Sequence, residues 1–318
     1  MDYADIFCLI KHGLREIKSN FIADLIVGLV SMNSLNDLHK LNTTLDEQEK
    51  KMPLLFMGHG SPMNGIDDNE FSVTWEKMGK ELEPPKAVLC ISAHWFTKGT
   101  HVTAMENPKT IHDFYGFPKP LFDVQYPAPG NPALANATAA LIHKTPVGLD
   151  HEWGLDHGTW SVVKRMFPEA KIPVLQLSID YTQKPKFHYE LSKELASLRK
   201  KGVLIIGSGN MVHNLGIMNW KLPATGYDWA IEMNEKFKAL ISKGEHAPLI
   251  NYESLGQAAK LSIPTPEHYL PLIYVLGLKE EKESVSFFND KTLMGSISMT
   301  SVKEIGRASC RERVCLAV

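Results

Sequence analysis

Val203-Leu204-Ile205-Ile206-Gly207-Ser208-Gly209-Asn210-Met211-Val212-His213-Asn214 decides the fold. Its first half is an apolar run of strand length that stops in a glycine-rich turn. The run does not alternate between polar and apolar residues, so the strand it predicts is buried on both faces, as in a parallel sheet. Leu54–Met57, Ala87–Ser92 and Val174–Ile179 repeat the pattern, and His101–Met105 is a weaker version of it. Between these runs, helical spacing is visible at about 134–144, 158–167, 187–200 and 227–242. Strands separated by helices predict an α/β fold, a single domain with a mostly parallel or mixed central sheet flanked by helices. The proline-rich stretch 117–132 reads as a long structured loop, a kind often functional in compact domains.

The ends differ from this middle. Residues 1–51 read as an N-terminal extension, with a charged run at 46–51 that suits a solvated arm. Met32 is a candidate start, which would leave residues 1–31 outside the native chain. The apolar patch 21–30 is interrupted by Asp24 and is about half the length of a membrane span. Asp2 and Asp5 stand where a secretory signal would be basic. Residues 304–318 have neither amphipathic period nor turn logic and resemble translated vector or adapter sequence. They are expected to be a non-native or disordered tail, which leaves the domain at 52–303.

Composition narrows the function. The chain has 318 residues, 44% hydrophobic and 22% charged, in the ordinary range for a folded domain. A net charge of -2 offers no reason to expect nucleic acid or an anionic membrane as partner. Of the four cysteines, Cys8, Cys310 and Cys315 lie in the suspect ends. Cys90 remains, mid-strand, as a buried small hydrophobe, and this usage fits a reducing cytoplasm. The count that stands out is 13 histidines.

Three of them follow predicted strands. His59 lies in Gly58-His59-Gly60-Ser61-Pro62, His94 in Ser92-Ala93-His94-Trp95, and His213 in the opening stretch. His268 sits in the Pro-bounded loop Pro264-Thr265-Pro266-Glu267-His268-Tyr269. Ligands of open α/β sheets bind beyond the carboxyl ends of the strands, so these histidines can converge. Neutral imidazole is a common ligand for zinc and iron. Pattern alone leaves open both a metal site and ordinary hydrogen-bonding histidines. Asp156, in Leu155-Asp156-His157-Gly158-Thr159-Trp160, reads as the N-cap of the following helix or as a residue with a catalytic role. Tyr115, Tyr126 and Trp95 are candidates for an aromatic pocket wall, although core packing suits Trp95 better.

Taken in order, Gly58–Met63, Ser92–Trp95, Leu155–Trp160, Gly209–Leu215 and Glu267-His268-Tyr269-Leu270-Pro271 resemble the 4,5-DOPA extradiol dioxygenases, of the class III (LigB-type) ring-cleavage enzymes. The resemblance runs from about Met52 to Lys303. It implies a LigB-like fold and one divalent metal per chain, Fe(II) for ring cleavage, with Zn(II) also able to bind. It implies His59, His94 and His268 as metal ligands, and His213 as acid/base that can also coordinate metal when substrate is absent. It implies His157 as a contact to substrate or oxygen, with a catechol and O2 as the small-molecule partners. Many class III relatives carry a glutamate where His268 stands, so the site here would keep the metal's full double charge. Two alternatives remain on the same scaffold, a zinc hydrolase and a non-catalytic binding protein. Oligomeric state is not legible, because no heptad or apolar stripe is present.

Overall fold

Each apolar run marked in the sequence overlaps a strand, and further strands form where no run marks them. The computed structural model describes residues 50–306. The expectations for the arm, the patch 21–30 and most of the tail fall outside the described residues. Ten strands lie among the described residues: β1 (Leu54–Gly58), β2 (Ala87–Thr97), β3 (Thr100–Thr103), β4 (Val147–Asp150), β5 (Val174–Asp180), β6 (Val203–Gly209), β7 (Glu283–Phe288), β8 (Thr292–Leu293), β9 (Ile297–Ser298) and β10 (Ser301–Gly306). Eight form one sheet in the order β4-β3-β5-β2-β6-β1-β10-β7, while β8 and β9 pair separately. The central strands β5, β2, β6 and β1 are parallel. The edges turn antiparallel at β1–β10, β10–β7 and β3–β5. The sheet is therefore mixed, with the parallel part buried, and β5 and β6 are buried at every position.

Six longer helices cover the sheet: α1 (Glu70–Glu81), α2 (Pro132–Leu141), α3 (His157–Met166), α4 (Pro185–Lys193), α5 (Asp228–Lys243) and α6 (Leu270–Leu278). Several starts and stops have a local cause. Asn69 and Ser72 form a capping box on α1. Asn131 caps α2 with Pro132 in its first turn. Gly244 ends α5 in the left-handed region at φ 71°. The helix expected over 187–200 is instead α4 and a short second helix, Ala196–Lys200. All nine residues of α6 are buried, as expected of a helix with no solvent face.

Two apolar cores result, one per face of the sheet. The first joins Leu89, Leu177, Ile205 and the α6 side chains. The second joins Val88, Leu204, Trp75 and Trp160. Each large aliphatic buried this way contributes about 1.5–3 kcal/mol. Cys90 belongs to the second core and is fully buried, with burial raising its thiol pKa above the usual range.

Strand β10 extends three residues past the boundary at 303 that the sequence reading drew. Glu304 pairs with Leu54 on one side and Val285 on the other. Neighbouring strand backbones satisfy the hydrogen bonds of residues whose side chains carry no strand signal. No helix among the described residues is long and apolar enough to cross a membrane.

Candidate metal centre

Five histidines meet at the carboxyl ends of the parallel strands. His59 follows β1 directly, and His268 lies in the turn before α6. His94 departs from its expected place: β2 continues past it to Thr97, and its pairing with β5 shifts register between Ile91 and Phe96. A bulge of that kind re-aims a side chain. His213 lies four residues beyond β6 and bridges to Ile297. His157 is the first residue of α3.

A close backbone approach sets His268. A Cβ on Gly209 would come within 2.1 Å of the His268 carbonyl oxygen, so only glycine lets that turn press on β6. The Asn210 amide donates to the same carbonyl at 2.8 Å.

The ring nitrogens of His59, His94 and His268 lie within 4.8 Å of one another. Their ring centroids are 5.0–5.4 Å apart. His157 packs on His94 at 3.9 Å. His213 stacks nearly parallel on His268 at 3.6 Å.

The acceptors beside each Nδ1 decide which nitrogens are bare. The Ser208 hydroxyl donates to the Gly158 carbonyl at 2.5 Å, so towards His59 Nδ1, 2.9 Å away, it accepts. His59 therefore carries its proton on Nδ1 and leaves Nε2 bare. His94 Nδ1 lies 3.3 Å from Asp113 Oδ2. Burial would raise the Asp113 pKa, but the His157 hydrogen bonds and the two imidazoles outweigh it and lower it. An ionised carboxylate only accepts, so His94 Nε2 is bare as well. His268 Nδ1 faces Glu267 Oε1 at 3.4 Å in the same sense.

The bare Nε2 atoms of His59 and His94 then face each other at 3.2 Å. Two lone pairs at that distance repel unless a cation lies between them. Ligands at 2.0–2.1 Å from zinc, at angles of about 90–110°, stand roughly 3.0–3.4 Å apart. The site thus fits a metal ion on its own geometry.

Proton competition for the lone pairs is weak. Burial lowers the pKa of His59 and His268 well below the usual value, with neighbouring imidazoles adding to it. Burial and His157 bring His94 down to about 3 despite Asp113, and burial brings His213 to about 4.

Asp156 caps α3 by accepting from the Thr159 amide at 3.0 Å. It also accepts from Ser92 Oγ at 2.7 Å and Gln176 Nε2 at 2.6 Å. Its role is to lock α3 onto β2 and β5, which places His157 against His94.

The aromatic wall expected of the two tyrosines is not found. Tyr115 is 92% exposed. Tyr126 is buried in the second core, its hydroxyl donating to the Phe167 carbonyl. Trp95 is buried and stacks on Trp153. The nearby aromatic is Phe114, edge-on to His157 at 5.6 Å. Sequence reasoning also missed Asp113 and Ser208. Asp113 sits among residues with no period or spacing, Ser208 sits inside a strand run that marks only the strand, and the contacts that matter are made across the fold.

With this geometry in place, comparison identifies the class. A family profile described as the catalytic LigB subunit of aromatic ring-opening dioxygenase matches residues 53–300. The chain is 49% identical to 4,5-DOPA dioxygenase extradiol of Escherichia coli K12 over 257 residues, covering 80% of this chain and 94% of that protein. It is 36% identical to the Beta vulgaris protein of the same name, covering 78% and 94%. A crystal structure of an uncharacterized Escherichia coli K12 protein aligns with TM-score 0.70 and 45% identity, covering 80% of this chain and all of that one. The chain belongs to the LigB family of extradiol dioxygenases.

Proposed function

We propose that this chain is a metal-dependent extradiol dioxygenase that opens the ring of a DOPA-like catechol and inserts both atoms of O2. One observation carries the reading: three imidazoles, each with an acceptor at Nδ1, converge with His213 and His157 beside them.

His59, His94 and His268 are the metal ligands in this reading. Fe(II) held there would supply redox capacity and open coordination positions, whereas Zn(II) would supply charge alone. His213 is the acid/base. Burial lowers its pKa to about 4, so at neutral pH it is unprotonated and can accept a catechol hydroxyl proton. Its ring stacks on that of His268 at 3.6 Å, which would keep it beside a catechol held at the metal. The cluster of mutually close ring nitrogens comprises His59, His94 and His268, which favours proton transfer over coordination for His213. His157, with Nδ1 turned to Asp113 at 3.0 Å, is the contact to substrate or oxygen and can help return the proton. Burial of Cys90, the free cysteine among the described residues, is consistent with a cytoplasmic protein.

The test is oxygen uptake across a catechol panel after anaerobic Fe(II) loading. Wild-type protein should consume oxygen and yield the ring-opened product. His213→Ala should keep its metal and lose at least about 100-fold in turnover. Ester or amide hydrolysis without oxygen uptake would make the protein a zinc hydrolase. Unchanged ring cleavage in His213→Ala would remove the base assignment.

A further inference from the structure

We propose that Asp113 is a positioning residue that holds His94 and His157 in one tautomer through a single carboxylate, and so couples a metal ligand to a substrate-contacting histidine. The inference rests on the three-histidine metal centre.

Asp113 reaches both rings at once. Its Oδ2 lies 3.0 Å from His157 Nδ1 and 3.3 Å from His94 Nδ1. Its Oδ1 accepts from the His157 backbone amide at 2.9 Å. The backbone bond sets the carboxylate plane, which leaves Oδ2 to serve the two imidazoles. Both contacts are close approaches rather than aligned hydrogen bonds, and an oxygen that only accepts favours the proton on Nδ1 of each ring; His94 Nε2 then faces His59 Nε2 at 3.2 Å.

The loop that carries Asp113 is stapled to the start of α3. Ile111 N donates to Leu155 O at 2.7 Å, and Trp160 Nε1 donates to Ile111 O at 2.8 Å. His112 Nε2 bonds Val124 O at 3.0 Å. Phe114 covers the far edge of the His157 ring. The carboxylate is therefore held in place beforehand rather than recruited by the metal. Partners that orient metal-bound histidines in this way typically contribute 10–100-fold in metal affinity or activity.

Substitution by asparagine separates this role from simple packing. In Asp113→Asn the Oδ1 acceptor for His157 N survives and the shape is nearly kept. The new amide, however, points a donor at two Nδ1–H groups. At least one ring must give up its Nδ1 proton and turn Nε2–H towards the site. A packing role predicts that Asn rescues what Ala loses; the clamp predicts that it does not.

The readout is Co(II) affinity by chelator competition, without substrate or oxygen. Asp113→Asn and Asp113→Ala should both bind Co(II) about 10–100-fold more weakly than wild type, while Asp113→Glu recovers part of the loss. Long-range 1H–15N spectra of the apo wild type, which carry no folding risk, should show His94 and His157 as Nδ1–H tautomers. Co(II) affinity of Asp113→Asn within about twofold of wild type, or Nε2–H tautomers in the wild type, would overturn the clamp. Absence of Co(II) binding by the wild type would overturn the metal centre and the clamp together. Tight Co(II) binding, with the variants weakened as stated but no oxygen uptake after Fe(II) loading, would sink the ring-cleavage reading and leave the clamp standing.

Discussion

Two carboxyl groups lie fully buried at opposite kinds of place in this molecule. Asp156 stands at the histidine end of the parallel strands, and Glu304 stands in β10, where the sheet has turned antiparallel. Burial raises the pKa of both. Their surroundings differ completely. Asp156 accepts from Ser92, Gln176 and Thr159, and its backbone amide donates to Gln176 Oε1. Both carboxyl oxygens of Glu304 lack a hydrogen-bond partner, although Arg199 nearby is committed to Glu283. A buried acid is thus a structural part where neighbours satisfy it and a liability where they do not.

Removing the satisfied acid should do the most damage. Asp156→Ala leaves three buried donors without an acceptor, each worth about 1–3 kcal/mol. The expected loss is upwards of about 4 kcal/mol, read from urea midpoints, with the Co(II) affinity falling as α3 loosens from β2. A loss below about 1 kcal/mol would mean that water replaces the carboxylate and that Asp156 does not organise the site.

The unsatisfied acid should behave in the opposite way, and pH should reveal it. Burial pushes the Glu304 pKa up to about 8, above its unfolded value. Below the unfolded pKa both states are protonated and the group costs nothing through ionisation. As pH rises towards 8 the unfolded chain ionises and the folded one resists, so stability is lost across that window. Glu304→Gln removes the ionisation and nearly keeps the shape. It should match wild type at pH 4 and exceed it by about 5 kcal/mol at pH 9. Equal stability at both pH values would show that the β10 end opens to water.

The same contrast marks what the sequence could reveal. Central strands such as β5 and β6 were legible because burial on both faces demands continuous apolar runs. β4, β7 and β10 were not, because Val147-Gly148-Leu149-Asp150 is short and carries a glycine, Glu283–Phe288 mixes serines with apolar residues, and Ser301–Gly306 is largely polar. Their strand state comes from pairing with neighbours rather than from composition. The five histidines could be singled out by their turns and motifs. Asp113 and Ser208 could not, because their work is to reach across the fold to a ring that sequence distance hides.

Gly158 carries the smallest of the expected effects and tests how tightly the satisfied region is packed. A Cβ there would lie 2.6 Å from Ser92 Oγ, 2.9 Å from His94 Cδ2 and 3.4 Å from Asp156 Oδ1. Its carbonyl also takes the Ser208 proton that sets the His59 tautomer. Helix propensity alone would favour alanine over glycine by about 1 kcal/mol. Overpacking costs about 1–3 kcal/mol, and here the clash falls on His94, a proposed metal ligand, and on the acid that anchors α3. Gly158→Ala should therefore lower stability by about 1 kcal/mol while weakening Co(II) binding by more than that loss alone would explain. A variant that is more stable and binds Co(II) as well as wild type would show that α3 can shift away from β2, and that the interlock around Asp156 is looser than its hydrogen bonds imply.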